Sequence, residues 1–168
     1  VSGNLTNFAD ASKVGNFAWD AMVWATQNGI INGMTEDTFA PGTELTRAML
    51  VTILYRSEGS PEVDADSKFS DVKASDWYGA PVIWAAENGI VNGVSETEFA
   101  PNNAITREQI AAIMYRYAQA KGYDVAIAKV TAIDGYNDAA TISSWATDAI
   151  KYTVGTGIMK GKTADTLN

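Results

Sequence analysis

The feature that most constrains the fold is an internal repeat with an offset of 60 residues. Residues 24–56 align with residues 84–116 without a gap, and 16 of the 33 aligned pairs are identical. Both copies contain Asn-Gly-Ile-x-Asn-Gly, Phe-Ala-Pro and Thr-Arg at the same spacing. This level of identity predicts that each copy is one structural unit that packs on its neighbours.

A third copy follows at an offset of 68 from the second, and it is truncated. The segment GTGIMKG at 155–161 matches ENGIVNG at 87–93. Asn168 falls in the column of Ala100, so the third copy contains neither the proline nor the Thr-Arg segment. We expect one structural unit made of three repeats, which span residues 1–59, 60–122 and 123–168.

Apolar spacing predicts two helices around a loop in each copy. In the first helix the apolar residues fall at i, i+3 and i+4, as in Val82, Ala85 and Ala86. This helix is expected to end at Asn-Gly, because glycine adopts the left-handed conformation there without strain. The second helix is expected to begin after Thr46 and Thr106, which are suitable N-caps. The predicted fold class is therefore all-α.

The start of the second helix carries an arginine that helix-start chemistry does not explain. Arg47 and Arg107 stand at the first helical position, where a cation opposes the dipole by some tenths of a kcal/mol. A single arginine there is explained as a tolerated surface residue, with or without a nearby carboxylate as its partner. Its recurrence favours a bound anion, held by the guanidinium and the free N–H groups. Gln109 completes a capping box with Thr106, whereas Met49 is not expected to complete one in the first copy.

Composition excludes several classes of function. The net charge of −8 disfavours binding to nucleic acid. Without cysteine or histidine, the chain offers no disulfide, no thiolate or imidazole metal site and no Ser-His-Asp triad. No apolar run approaches the roughly 18 residues of a membrane span. The start at Val1 suggests a mature product or part of a longer protein. A carboxylate-pair glycosidase stays open as an alternative, although no acidic pair is distinguished as catalytic.

These motifs resemble the S-layer homology (SLH) domain family. The aromatic-x-Asp opening, W-x6-W-A, N-G-I-x-N-G, F-x-P and T-R-x-x cover essentially the whole chain. The resemblance implies three helix-loop-helix repeats around a pseudo-threefold axis, forming a three-pronged spindle whose third repeat is incomplete. It implies a secreted, non-catalytic module at the surface layer of a Gram-positive bacterium, without metal or cofactor. Such domains anchor proteins to the cell wall by binding a pyruvylated secondary cell-wall polysaccharide in grooves between the prongs.

The resemblance suggests which residues contact this polymer. Arg47 and Arg107 match the Thr-Arg motif of the family and are expected to bind the pyruvate carboxylate. A recurrent aspartate precedes the first helix at Asp10, Asp71 and Asp138. These carboxylates are expected either to accept backbone N–H groups, to bind sugar hydroxyls, or, for Asp71 and Asp138, to pair with an arginine of a neighbouring prong.

Recurrent aromatic residues and glycines complete the candidate site. Trp77 and Trp145 fall near the start of the first helix and are expected either to pack or to stack on a sugar ring; Phe17 in the same column lacks an N–H donor. A second aromatic column, one heptad later, is expected to pack in the core or between repeats. It contains Trp24, Trp84 and Tyr152. A recurrent glycine is expected either to shape the loop or to let backbone N–H groups approach a ligand. It occupies positions Gly33, Gly93 and Gly161.

The alternative function is a protein–protein assembly module of a surface-layer or secreted protein. It is suggested by the incomplete third copy, whose first helix is expected to bury its apolar stripe against a helix that this chain does not contain. That helix would come from a missing segment or from a partner chain. Neither hypothesis involves nucleic acid or membrane insertion.

Overall fold

The chain folds as five α-helices in a computed structural model that describes residues 4–126 and 133–167. No strand is present within these residues, so the predicted all-α fold is confirmed. Short 3-10 turns precede the first helices of the first and third repeats. The helices are α1 (Asn16–Gln27), α2 (Arg47–Ser57), α3 (Gly79–Glu87), α4 (Arg107–Ala120) and α5 (Thr147–Gly155). The predicted alignment of Asn168 with Ala100 lies outside the described residues.

The second helices begin as the sequence predicts. The hydroxyl oxygens of Thr46 and Thr106 accept hydrogen bonds from the third backbone N–H of α2 and α4, at 3.2 Å in both helices. Gln109 closes the predicted capping box by accepting the Thr106 N–H at 3.3 Å. The expectation that Met49 closes no box was wrong, because its Sδ lies 3.5 Å from the Thr46 nitrogen. A thioether is a weak acceptor, so this second box contributes less.

The helices pair between repeats. The second helix α2 packs against α3 of the next repeat, and α4 packs in the same way against α5. The prediction that the first helix of copy three lacks its partner was therefore wrong, because α5 buries Ile150 and Thr153 beside α4. The helix whose aromatic face stays open is α1, which packs mainly against the 3-10 turn Leu5–Asn7. An apolar stripe marks the face that is buried but not the helix that covers it.

The second aromatic column shows the consequence of this pairing. Trp84 makes an edge-to-face contact with Tyr55 at 5.7 Å between ring centroids, and Tyr152 contacts Tyr115 at 5.4 Å. The predicted packing between repeats is confirmed for these two residues. Trp24 has no equivalent partner ring within the described residues, and its side chain is 60% exposed.

Thr52 carries a buried hydroxyl that has no hydrogen-bond partner within the described residues. We expect Thr52→Val to raise the free energy of unfolding by about 1 kcal/mol, because a buried unpaired hydroxyl is destabilising. Urea denaturation measures the change. The matched control is Thr153→Val, since the Thr153 hydroxyl donates to the Ala149 carbonyl at 2.9 Å and its loss is expected to be neutral or destabilising. A loss of stability in Thr52→Val would contradict the assignment of this hydroxyl as unpaired.

Candidate functional site

The recurrent aspartates join the start of each repeat to the end of its loop. In the first two repeats, both carboxylate oxygens accept backbone N–H groups about 29 residues further along the chain. These bonds run to Asp10 from Phe39 (2.7 Å) and Ala40 (2.8 Å), and to Asp71 from Phe99 (2.9 Å) and Ala100 (2.7 Å). In the third repeat Asp138 accepts the Leu167 N–H at 2.8 Å. The backbone-accepting role is therefore the one that the structure provides, and a contact with sugar hydroxyls stays a prediction.

The hydrogen bonds that the Asp10 carboxylate accepts make the stability of the fold depend on pH. The Phe39 N–H lowers the pKa of Asp10 below its ordinary value of 3.8; burial opposes this effect, and the Ala40 N–H adds to it. A lowered carboxyl pKa contributes stability above the unfolded-state pKa, which is lost as the pH falls through the folded-state pKa. We expect the stability difference between wild type and Asp10→Asn to be largest near neutral pH and to shrink below about pH 4.

Urea denaturation of both proteins across this pH range measures the effect. Asp20→Asn is the control, because Asp20 lies on the exposed face of α1. A difference between wild type and Asp10→Asn that stays constant with pH would contradict the role of the ionised carboxylate.

Arg47 is a buried link between the first and second repeats. Its side chain is 5% exposed, its Nε donates to the Phe99 carbonyl at 2.8 Å, and its guanidinium carbon lies 4.7 Å from the centroid of the Phe99 ring. The first two N–H groups of α2 donate to carbonyls of the second repeat, from Arg47 to Asn103 (3.1 Å) and from Ala48 to Pro101 (3.0 Å). The expectation that these N–H groups are free for an anion was therefore wrong. Contact with the next repeat explains the unusual position of this arginine.

Arg107 makes a related contact one repeat later. Its Nη2 donates to the carbonyl of Lys160, which precedes Gly161 in the third loop. The side chain is half-buried, in contrast to that of Arg47. At the same junction the Glu108 carboxylate accepts the Ser143 N–H at 2.7 Å. Both Thr-Arg motifs thus hold neighbouring repeats together.

A groove of about 330 Å³ opens between the second and third repeats, and we call it the Trp145 groove. Its walls come from the second loop, one side of α4, the start of the third repeat and Arg47 of the first repeat. The lining residues are Arg47, Val91, Asn92, Gly93, Val94, Gln109, Ala112, Ile113, Arg116 and Trp145. All three repeats therefore contribute to this groove.

A matching groove of about 400 Å³, the Trp77 groove, lies one repeat earlier. It includes the residues that align with the walls of the Trp145 groove, together with further residues of the first repeat. The aligned residues are Ile31, Asn32, Gly33, Met34, Met49, Thr52, Ile53, Arg56 and Trp77. The internal repeat of the sequence therefore produces two equivalent grooves in the structure.

The two grooves share a polar and electrostatic character. Neither groove has an Asp or Glu among its lining residues, although the chain contains 20 of them. Trp77 and Trp145 are each 57% exposed and offer a flat aromatic wall. Burial lowers the pKa of Arg47; Arg116 adds to this effect, and Asp71 opposes it. Such a groove suits a ligand that combines an apolar ring face with a negative charge.

The recurrent glycines are required by close packing in the loops. A Cβ atom on Gly93 would lie 2.6 Å from the Glu98 carbonyl oxygen and 2.6 Å from the Phe69 ring. A Cβ atom on Gly161 would lie 2.5 Å from the Thr163 carbonyl oxygen. Loop geometry therefore explains the recurrence, while an approach of the backbone to a ligand stays a prediction.

The structure brings together some of the predicted site residues and separates others. Arg47, Gly93 and Trp145 meet in the Trp145 groove, and Gly33 and Trp77 meet in the Trp77 groove. The remaining predicted residues line neither groove, and Phe17 also lies outside both, at 98% exposure. They are Asp10, Asp71, Arg107, Asp138 and Gly161.

Sequence reasoning missed two residues of the grooves, Arg56 and Arg116. They lie near the C-terminal ends of α2 and α4, one in each groove. Both are half-buried, and burial lowers the pKa of Arg56. They form one of the identical pairs in the repeat alignment, so their recurrence was the available signal.

Comparison with known proteins agrees with the family resemblance of the sequence motifs. The profile of the S-layer homology domain matches residues 7–48, 68–111 and 135–168, each within one predicted repeat. The chain is 32% identical over 156 residues to the surface-layer 125 kDa protein of Lysinibacillus sphaericus, covering 93% of the chain and 13% of that protein. It is 34% identical over 160 residues to an endoglucanase of Bacillus sp. (strain KSM-635), covering 95% of the chain and 16% of that protein.

A third relative is the S-layer protein of Bacillus thuringiensis subsp. finitimus, 30% identical over 173 residues, with 98% of the chain and 20% of that protein covered. The chain thus spans a fifth or less of the length of each of these relatives. In the described part of the chain, no helix has the length and apolar character needed to cross a membrane.

Proposed function

Because the chain belongs to the S-layer homology domain family, we propose that it is a non-catalytic module that anchors a larger secreted protein to the bacterial cell wall. The ligand is a pyruvylated secondary cell-wall polysaccharide, bound in the Trp77 and Trp145 grooves. The relatives support this role, since two are surface-layer proteins and the match to the endoglucanase covers a small part of that protein. The same module thus occurs in proteins whose remaining sequence differs.

The observation that carries the proposal is the local charge of the grooves. An acidic protein repels an acidic polymer unless its positive side chains are gathered where the polymer binds. The two grooves provide this, because each combines arginine and tryptophan and has no acidic residue among its lining. An arginine fork pairs with a carboxylate through two parallel hydrogen bonds, and the tryptophan face covers the apolar side of a sugar ring.

Co-sedimentation with purified cell walls tests the proposal. We expect the protein to pellet with walls that carry the secondary polysaccharide and to stay in the supernatant with walls from which it has been extracted. Bovine serum albumin, another acidic protein, serves as the control for non-specific adhesion. Equal retention on extracted walls would contradict binding to this polymer.

The second candidate, a protein–protein assembly module, is favoured by the exposed aromatic residues of α1. Trp24 is 60% exposed, whereas Trp84 and Tyr152 in the same column pack against a second helix. Light scattering across a range of concentrations tests self-assembly. A mass that stays monomeric at every concentration would contradict self-association through this face.

A further inference from the structure

The strongest unassigned feature is a pair of arginines at equivalent positions in the two grooves. Arg56 lies on the last turn of α2, and Arg116 occupies the aligned position of α4, before the last turn of that longer helix. Each shares its groove with a tryptophan. Both side chains are half-buried. Within the described residues neither forms a hydrogen bond or an ion pair with another side chain or with the backbone. A half-buried cation without an acceptor is unfavourable, and an anion in the groove would supply the acceptor.

The Trp145 groove holds a second guanidinium. Arg47 reaches this groove from the first repeat, and its Nε is already used by the Phe99 carbonyl. Its Nη groups donate no hydrogen bond within the described residues. Arg47 and Arg116 therefore place two like charges in one groove without a carboxylate among its lining residues. A bound anion would offset the repulsion between the two guanidinium groups.

The Trp77 groove lacks this second guanidinium. Its lining residues include one arginine, Arg56, and Thr52 stands where the other groove has Ala112. The wider apolar lining of this groove includes Met22, Phe39 and Leu45. The two grooves occupy equivalent positions in successive repeats, but they therefore carry different positive charge.

We propose that Arg56 and Arg116 are ligand-binding residues, one in each groove, and that each binds the carboxylate of an acidic sugar. The second guanidinium from Arg47 makes the Trp145 groove the tighter of two unequal sites. This inference rests on the proposed function and adds to it the residues that recognise the acidic group and the order of affinity of the grooves. Arginine suits the task because its planar fork matches the two oxygens of a carboxylate.

Calorimetric titration with a pyruvylated N-acetylmannosamine fragment tests the inference. For the wild type we expect two sites with unequal Kd. Arg116→Gln is expected to weaken the tighter site by roughly tenfold or more, which is the scale of a lost charge-assisted hydrogen bond. Arg56→Gln is expected to leave the tighter site intact and to remove the weaker one.

Two further variants separate local recognition from other effects. Lys13→Gln removes the same charge from an exposed position outside both grooves and is expected to bind as wild type does. Arg116→Lys keeps the charge without the fork and is expected to bind with intermediate affinity. Thermal unfolding of each variant is expected to match wild type, because Arg56 and Arg116 contribute no hydrogen bond to the described fold.

The possible outcomes are distinguishable. Wild-type binding that survives both Arg56→Gln and Arg116→Gln would overturn this inference and leave the proposed function standing. Equal weakening by Lys13→Gln would also overturn it, since attraction would then depend on net charge alone. No binding of the fragment by the wild type would overturn the proposed function and this inference together.

Discussion

Replacing Arg47 by alanine is expected to lower the free energy of unfolding by about 2–4 kcal/mol. The side chain is buried between two repeats, where it donates to the Phe99 carbonyl at 2.8 Å and lies against the Phe99 ring. Alanine would remove a charged hydrogen bond and leave that carbonyl without its side-chain donor. It would also leave unfilled space between the first two repeats. Urea denaturation followed by circular dichroism measures the loss.

Arg107→Ala is the matched control, because it changes the same position of the repeat in a more exposed setting. Arg107 is half-buried and donates to the Lys160 carbonyl, so we expect a loss of less than about 1 kcal/mol. Arg47→Lys is expected to recover little stability, since lysine cannot reproduce the Nε bond and the planar contact with Phe99. Similar losses for Arg47→Ala and Arg107→Ala would contradict the distinct structural role of Arg47.

Replacing Gly93 by alanine is expected to lower the free energy of unfolding by about 3 kcal/mol or more. Gly93 has a φ of +81°, a conformation that costs an L-residue about 1–2 kcal/mol. A Cβ atom there would also lie 2.6 Å from two backbone oxygens, those of Ser95 and Glu98. Backbone atoms in a tight loop cannot yield as a flexible side chain does, so overpacking adds to the strain.

Gly89→Ala separates these two effects. Gly89 has a φ of +69°, but a Cβ atom there would have no neighbour within 4 Å. We therefore expect it to lose only the conformational part, about 1–2 kcal/mol, in the same urea denaturation experiment. If Gly93→Ala cost no more than Gly89→Ala, the close packing of the second loop would be contradicted.

The parts of the fold that depend on neighbouring residues were predictable from the sequence. Thr46 and Thr106 cap the second helices, and Gly89 follows the end of α3, because these signals act within one turn of the helix. The repeat and its alignment also identified Trp77 and Trp145 as a matched pair. Local chemistry and recurrence together sufficed for the elements and for half of the candidate site.

The parts that depend on distant residues were not predictable. Asp71 binds backbone N–H groups 28 and 29 residues away, and the Trp145 groove combines Arg47 with Arg116 from another repeat. An apolar stripe does not name its partner helix, which is why the open face was expected on α5 and was found on α1. Recurrence marked Arg56 and Arg116, but only the folded chain shows that they face a groove.

The structural and proposed binding roles of Arg47 are compatible, because they use different nitrogens. Its Nε donates to the Phe99 carbonyl of the second repeat, whereas its terminal nitrogens donate no hydrogen bond within the described residues and would bind the ligand in the Trp145 groove. Holding one end of a guanidinium reduces the conformational entropy that is lost when the other end binds an anion. Such preorganisation offsets part of the repulsion between Arg47 and Arg116.

The central proposal is that the grooves bind a pyruvylated cell-wall polysaccharide through its carboxylate. Its most direct test compares the retention of wild-type protein on purified walls before and after removal of the pyruvate ketals by mild acid, with the polysaccharide otherwise intact. We predict that retention is lost with the ketals. Undiminished retention on the ketal-free walls would contradict the proposal.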